Sequence, residues 1–282
     1  MLISNQTNPE KPRIGILGCG HLGQAISLSL IRHGFHKENL FLSYRGNPQT
    51  RRKLEEAGLD GRIVESGDLF RQAEIIFLTV RPQDITGPGF PKASGNSLPV
   101  SCMAGVSLRV LNCVLGAESC RMMPSGPDTL LSGQGVAAFY PKNESLERLL
   151  QTLEIKILPA SSEQDLNVFT AGVCLPAALL IEENREKSQQ ALERIGTSFP
   201  LLPELYEWAL KVLPHFDNSL EKDRYINHMA TKGGVTEAIV TSLKSGAPLD
   251  AALMKGIRRS GEIAEETEKH FLSSTEQAPY AR

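Results

Sequence analysis

The sequence predicts an α/β chain in two parts: a doubly wound parallel sheet over residues 13–160 and an all-helical domain over residues 161–272. Three observations predict it. Between Arg13 and Ala160, short apolar runs alternate with stretches of helical periodicity, the pattern of parallel strands and crossover helices. After Ala160 the strand-like runs vanish and helical spacing continues to about Leu272. The first apolar run, Ile14–Leu17, ends in three spaced glycines, Gly18, Gly20 and Gly23, that open directly into an apolar helix.

Those glycines form G-x-G-x-x-G in a strand–turn–helix context, the Rossmann-type dinucleotide-binding arrangement. Gly18 permits the sharp turn, Gly20 lets the backbone approach a pyrophosphate, and Gly23 lets the helix pack close to the sheet. His21 and Leu22 lie in the helix start, where free backbone N–H groups and a partial positive charge favour phosphate.

The bulk composition sets the outer limits. A chain of 282 residues, 41% hydrophobic and 22% charged, has the makeup of a globular protein with a substantial core. A formal net charge of -2 gives no electrostatic reason to expect nucleic acid or an anionic membrane as partner. The five cysteines are scattered, with no C-x-x-C pair and no zinc-ligand spacing, so reduced thiols and no metal are expected. No apolar run approaches the ~18 residues of a membrane span, and the start lacks an apolar signal core. A cytoplasmic protein with a small-molecule ligand is the expectation, with a flexible leader (1–12) and a loose tail (273–282).

The first helix, from about His21 to His33, is stopped by Gly34. Residues 39–45 read as the second strand, ending in Ser43, Tyr44 and Arg45. A fold that prefers NAD commonly places an acid here for the ribose hydroxyls. Hydroxyl donors and a cation suit a 2′-phosphate instead, so Ser43 and Arg45 favour NADP(H) over NAD(H). Arg51 and Arg52, at the next helix start, read equally as phosphate ligands or as a solvated helix face. Residues 63 and 64 suggest a short strand, and residues 73–80 a buried one. Arg81, Pro82 and Gln83 follow at once, so the chain turns at a strand's carboxyl end, where ligands collect in open α/β sheets. Residues 99–106 repeat the arrangement, with small residues at the end to admit a flat cofactor ring. Runs at 119–124, 135–140 and 154–158 complete the sheet. Beyond it, Ser161 to Gln164 look like a capped helix start. A long buried helix follows, which Pro176 must kink or interrupt, and further helices are expected near 200–213 and 249–270.

A second informative stretch is Thr231, Lys232, Gly233, Gly234, Val235 and Thr236. Two glycines before a helix can form a receptor for a small anion, with the Thr236 hydroxyl close by. An ordinary capped helix start explains the same pattern. His228 is tempting as a general acid and Asp128 lies near the expected pocket, but both read better as surface, loop or cap residues.

The glycine run, the strand end at Val80 to Gln83, the Ala104–Gly105–Val106 segment, Arg121 to Pro124, and Thr231 to Thr236 occur in one order from about residue 13 to residue 271. In this the chain resembles the pyrroline-5-carboxylate reductase family. The resemblance implies hydride transfer from NAD(P)H to the cyclic imine 1-pyrroline-5-carboxylate, giving L-proline. It also implies a homodimer interlocked through the helical domain, with higher assembly open. Carried over by position, Gly18 to Gly23 and Ser43 to Arg45 would face the cofactor's phosphates and ribose. Val80, Arg81, Pro82, Gln83, Met103 and Ala104 would flank it farther along. Gly233, Gly234, Val235 and Thr236 would bind the substrate, with Thr236 beside the imine nitrogen as the catalytic residue.

Three segments depart from the family. Its M-P-N-T-P-A loop is Met123, Pro124, Ser125, Gly126, Pro127 and Asp128 here. Its S-G-S-G-P-A-Y segment becomes Gly172, Val173, Cys174, Leu175, Pro176, Ala177 and Ala178, and its S-P-G-G-T-T loses the proline and one threonine. The cofactor half is kept better than the substrate half. Two other readings therefore stand beside proline formation: an NADP-dependent reductase of a different imine or carbonyl, and a non-catalytic NADP-binding sensor or partner protein.

Overall fold

A computed structural model of the chain describes residues 11–85 and 89–276. The order is β1 (Ile14–Leu17), α1 (His21–Arg32), β2 (Leu40–Ser43), α2 (Pro48–Glu56), α3 (Ser66–Gln72), β3 (Ile75–Leu78), β4 (Leu98–Ser101), α4 (Leu108–Leu115), β5 (Cys120–Pro124), α5 (Pro127–Leu131), β6 (Val136–Tyr140), α6 (Glu144–Thr152) and β7 (Lys156–Ile157). They build one seven-stranded sheet of order β2-β1-β3-β4-β5-β6-β7.

The strand interiors are apolar on both faces, as a sheet covered on both sides requires. Along β1 and β3 every residue is buried, and successive side chains enter the two cores on opposite faces in turn. Ile14, Ile16, Ile75 and Phe77 meet Ile26 and Leu30 of α1 and Leu149 of α6. Leu17, Ile76 and Leu78 meet Leu69 and Phe70 of α3 and Val110 and Leu111 of α4. Residue 63 adds only an isolated bridge to Leu42.

The all-parallel expectation needs one correction. β1 to β5 are parallel, but β6 runs antiparallel to β5, with Met122 opposite Phe139. A parallel return needs a crossover of a dozen or more residues, and the link between Pro124 and Val136 is too short for one. β7 then pairs parallel to β6 through α6.

The helical domain comprises α7 (Asp165–Gly172), α8 (Leu175–Leu179), α9 (Arg185–Gly196), α10 (Leu201–Val212), α11 (Ser219–Met229), α12 (Val235–Lys244) and α13 (Leu249–Glu276). Its core joins Phe169, Leu175, Leu202, Leu205, Ile239 and Leu253 to Met123, Ala138 and Leu158 of the sheet. The expected long helix is two, because Pro176 in the first turn of α8 cannot continue α7. The expected cap also moves: α7 starts at Asp165, whose carboxylate accepts the Ser161 and Ser162 N–H groups at 2.7 and 3.1 Å. The last helix continues through residues 273–276, past the expected start of the tail. Residues 1–10 of the expected leader and 277–282 of the tail lie outside the described residues. Among the described residues no helix is long and apolar enough to cross a membrane.

α9 is tied to α13 by Arg194 Nε donating to Asp250 Oδ2 at 2.7 Å. That hydrogen bond holds the Asp250 carboxyl below its ordinary range. The group's contribution to stability is therefore complete above its unfolded pKa of about 4 and is lost as pH falls through the lowered folded value. Asp250→Asn should be less stable than the parent at neutral pH, and acid titrations of the two unfolding curves should converge below that range.

Candidate functional site

The glycine turn is built by close packing on one side and open space on the other. Gly18 takes a φ of 100°, a conformation L side chains rarely adopt. A Cβ on Gly23 would stand 2.3 Å from the Gly18 carbonyl oxygen and 2.9 Å from Thr79 Oγ1, so α1 approaches the turn at glycine distance. A Cβ on Gly20 would meet nothing within 4 Å among the described residues. Gly20 thus faces a space that a ligand's phosphates can fill. The first turn of α1 has no side-chain cap and no acid, which leaves its N–H groups available. Gln24 Nε2 donates to the Cys19 carbonyl at 2.7 Å and Thr79 Oγ1 to the Gly18 carbonyl at 2.5 Å, which hold the turn from both sides. Burial pushes the Cys19 thiol up to about 12, so it is an inert packing group.

A cleft of ≈ 500 Å³ opens over this turn at the carboxyl ends of β1, β2 and β3. Gly18, Gly20, Ser43, Arg45, Val80 and Arg81 all line it. The structure therefore gathers residues that are far apart in sequence into one place. Pro82 and Gln83 belong to the turn that follows and are not among the lining residues. Arg45 Nη1 donates to Asp84 Oδ1 at 2.8 Å across the cleft, and Asp84 Oδ2 accepts the Arg81 N–H at 3.2 Å. Sequence reasoning stopped at Gln83 and missed Asp84, one residue on. Arg51 and Arg52 pair with Glu55 and Glu56, each at 2.9 Å and four residues along an exposed face, so they form the solvated face of α2.

Met103 is buried in the core beneath the sheet's end, and Ala104 packs toward the helical domain. A Cβ on Gly105 would lie 2.5 Å from Ile263 of α13. One helical turn earlier on α13, Arg259 Nε donates to the Gly233 carbonyl at 2.8 Å. A helix rises about 6 Å over those four residues. α13 thus sets the Gly233 turn beside the carboxyl end of β4, joining the second informative stretch to the first domain.

That turn is partly occupied by its own chain. Gly233 has a φ of 74°, and its N–H donates to Glu237 Oε2 at 2.7 Å. The Gly234 N–H goes to the Thr231 carbonyl at 2.9 Å. Val235 and Thr236 open α12, where first-turn N–H groups have no intrahelical acceptor. The Thr236 hydroxyl lies 3.2 Å from Cys174 Sγ, which itself reaches the Thr170 carbonyl at 3.2 Å. Burial pushes that thiol up to about 11.

A second cavity, of ≈ 480 Å³, lies between the domains. His21 and Gln24 of α1 and Gly126 to Thr129 form one side, while Val173, Pro176, Trp208 and Tyr225 form the other. Trp208 Nε1 donates to the Gln134 carbonyl at 2.8 Å and fixes α10 against the sheet domain. Farther back, Arg121 of β5 is buried and its guanidinium meets Glu163 at 2.7 Å, while the same Glu163 oxygen accepts the Leu108 N–H at 2.9 Å. Neither Tyr225 nor Trp208 stood out in the sequence: Trp208 sits on the buried stripe of α10, which reads as ordinary core, and Tyr225 on α11, which buries little beyond Ile226.

Residues 13–105 match the domain family described as NADP oxidoreductase, coenzyme F420-dependent. The chain is 31% identical over 140 residues to a pyrroline-5-carboxylate reductase of Haemophilus influenzae, a match covering 47% of this chain and 49% of that protein. The chain thus spans about half the length of that relative. A pyrroline-5-carboxylate reductase of Methanobrevibacter smithii is 25% identical over 246 residues, covering 79% of this chain and 94% of its own. Among solved structures, the pyrroline-5-carboxylate reductase of Coxiella burnetii superposes with a TM-score of 0.55 at 18% identity, over 91% of this chain and 98% of its own. The Plasmodium falciparum enzyme, solved with NADP bound, gives 0.54 at 19%, over 90% and 99%. At these identities the structural likeness is one of fold.

Proposed function

We propose that this divergent relative of the pyrroline-5-carboxylate reductases is an NADPH-dependent reductase of a cyclic imine, with 1-pyrroline-5-carboxylate as substrate and L-proline as product. The observation that carries the reading is the cleft at Gly20, where open space, uncapped helix N–H groups and a mouth cation meet at the sheet's carboxyl edge. These suit a dinucleotide phosphate chain. When bound, NADPH supplies the hydride to the substrate carbon.

The chain's own residues bind, orient and keep the site dry. The N–H groups of His21 and Leu22 hold the pyrophosphate. Ser43 and Arg45 hold the ribose end, with Arg45 exchanging Asp84 for the 2′-phosphate. Val80 and Arg81 flank the cofactor farther along, with Ala104 beyond them, while Pro82, Gln83 and the buried Met103 act from behind by shaping the turn and the floor. The Gly233–Gly234 turn and Val235 bind the substrate carboxylate where Glu237 now caps Gly233, and Thr236 orients the imine nitrogen. A cyclic imine is readily protonated in water, so this chemistry asks for placement more than for a strong acid or base. We place the protein in the cytoplasm as a homodimer joined through its helical domain. A single sedimenting species of twice the chain mass is the expected result.

The test is NADPH oxidation by purified protein with 1-pyrroline-5-carboxylate and a panel of imines and ketones. Turnover of 1-pyrroline-5-carboxylate at ordinary enzyme rates is expected. Turnover of other imines or ketones alone favours a different substrate, a reading supported by the apolar Val173 in the cavity wall. Tight NADPH binding with no turnover favours a sensor or partner protein. Arg45→Ala should weaken NADPH binding about tenfold, one charge-assisted contact's worth, and leave NADH binding unchanged. Equal losses for both cofactors would remove Arg45 from the 2′-phosphate.

A further inference from the structure

Two observations point away from Thr236 as the only polar group available to the substrate. Its hydroxyl lies 3.2 Å from Cys174 Sγ, and Cys174 follows Val173, which lines the interdomain cavity. Val173 and Cys174, in the segment that departs most from the family, thus stand between the cavity and the start of α12. The cavity itself abuts the cofactor turn: Gly20 lines the cleft and His21, the next residue, lines the cavity. Its floor, Gly126 to Thr129, follows the carboxyl end of β5, on the half of the sheet edge opposite Ser43 and Arg45. A cofactor whose phosphates lie at Gly20 and whose adenosine end lies at Arg45 must direct its other end to this side.

The interior of the cavity is apolar, with Trp208 and Pro176 buried in its wall, whereas His21, Lys53, Asp128 and His228 are exposed at its rim. Tyr225 stands between the two. It is half-buried against Phe216, ring centroids 5.4 Å apart, and its hydroxyl has no hydrogen-bond partner among the described residues. Burial, and then the Asp128 charge, push its pKa up, so it is a neutral phenol at working pH.

We propose that the interdomain cavity receives the carbon–nitrogen double bond of an imine with an apolar body, and that the Tyr225 hydroxyl gives the nitrogen its proton. The inference rests on the NADPH-dependent imine reductase reading above but replaces its substrate placement: for an imine whose body is apolar, the nitrogen lies at Tyr225 of α11 and not at Thr236 of α12. Hydride arriving at the imine carbon forms the new C–H bond and oxidises the cofactor. The π pair moves to nitrogen, which takes the phenolic proton and becomes the amine. Water at the open rim restores the proton to Tyr225.

Trp208 is the chain's single tryptophan and lies in the cavity wall, so its emission reports on occupancy. Full-length protein holding NADP+, which permits no reduction, is titrated with 2-methyl-1-pyrroline and separately with 1-pyrroline-5-carboxylate. NADPH turnover of the same compounds is then compared between the parent and Tyr225→Phe. The expected result is a saturable emission change with 2-methyl-1-pyrroline in both proteins, and turnover lowered about 100-fold by Tyr225→Phe. Turnover by the parent without an emission change overturns the cavity assignment. Undiminished turnover in Tyr225→Phe overturns the proton donor, and in both cases the reductase reading stands. Absence of any turnover in the parent overturns both.

Discussion

Gly23→Ala is expected to lower stability by about 1–3 kcal/mol and to abolish measurable NADPH binding. The added Cβ would stand 2.3 Å from a backbone oxygen, that of Gly18, and 3.0 Å from Ile16 Cγ2 in β1. Neither can swing aside as a flexible side-chain tip would, so α1 must retreat from the sheet. That retreat opens the core where Ile26 and Leu30 meet Ile14 and Phe77, and moves the helix N-terminus away from the phosphates. Gly20→Ala makes the complementary experiment. Its Cβ meets nothing within 4 Å among the described residues, so the variant should melt with the parent while losing cofactor affinity. Thermal unfolding and NADPH fluorescence titration separate the two. A Gly23→Ala protein with parental melting and parental affinity would contradict the packing role assigned to that glycine.

Glu163→Ala should be the most damaging change outside the cofactor turn, about 3–5 kcal/mol. Arg121 is only 4% exposed, and its Nε has no partner among the described residues. Removing Glu163 strands a buried guanidinium and also orphans the Leu108 N–H at the start of α4. The pair joins β5, α4 and the chain entering the helical domain, so its loss loosens the junction between the domains. Arg121→Met should cost less, because Glu163 is 26% exposed and water can reach its carboxylate. Arg121→Met combined with Glu163→Ala should recover part of the loss, since no buried charge is left. Urea unfolding of the three variants gives the order. A Glu163→Ala protein as stable as Arg121→Met would show that the buried charge finds another partner.

Much of the fold was legible because its signals are local. The apolar runs of β1 and β3, the glycine spacing, and the change of texture after Ala160 each lie within a window of ten or so residues. α9 and α11 were harder to see. Each buries only a few residues, Ser188, Ala191 and Leu192 in one and Ile226 in the other, so neither shows a strong stripe. The direction of β6 was hidden as well, because an apolar run does not record its own polarity.

By itself, then, the sequence determined the two-part α/β and helical plan, the glycine turn with its backbone shape, and the choice of Ser43 and Arg45 as the residues at the cleft's mouth. These follow from backbone sterics and short-range periodicity, which a linear pattern encodes. Only the tertiary structure decided who meets whom: Asp84 at Arg45, Glu163 at Arg121, Cys174 at Thr236, and Arg259 at Gly233. It also decided that Tyr225 and Trp208 share a cavity with His21. Each of these pairings joins elements distant in sequence, and each is settled by which groups burial brings within hydrogen-bond reach.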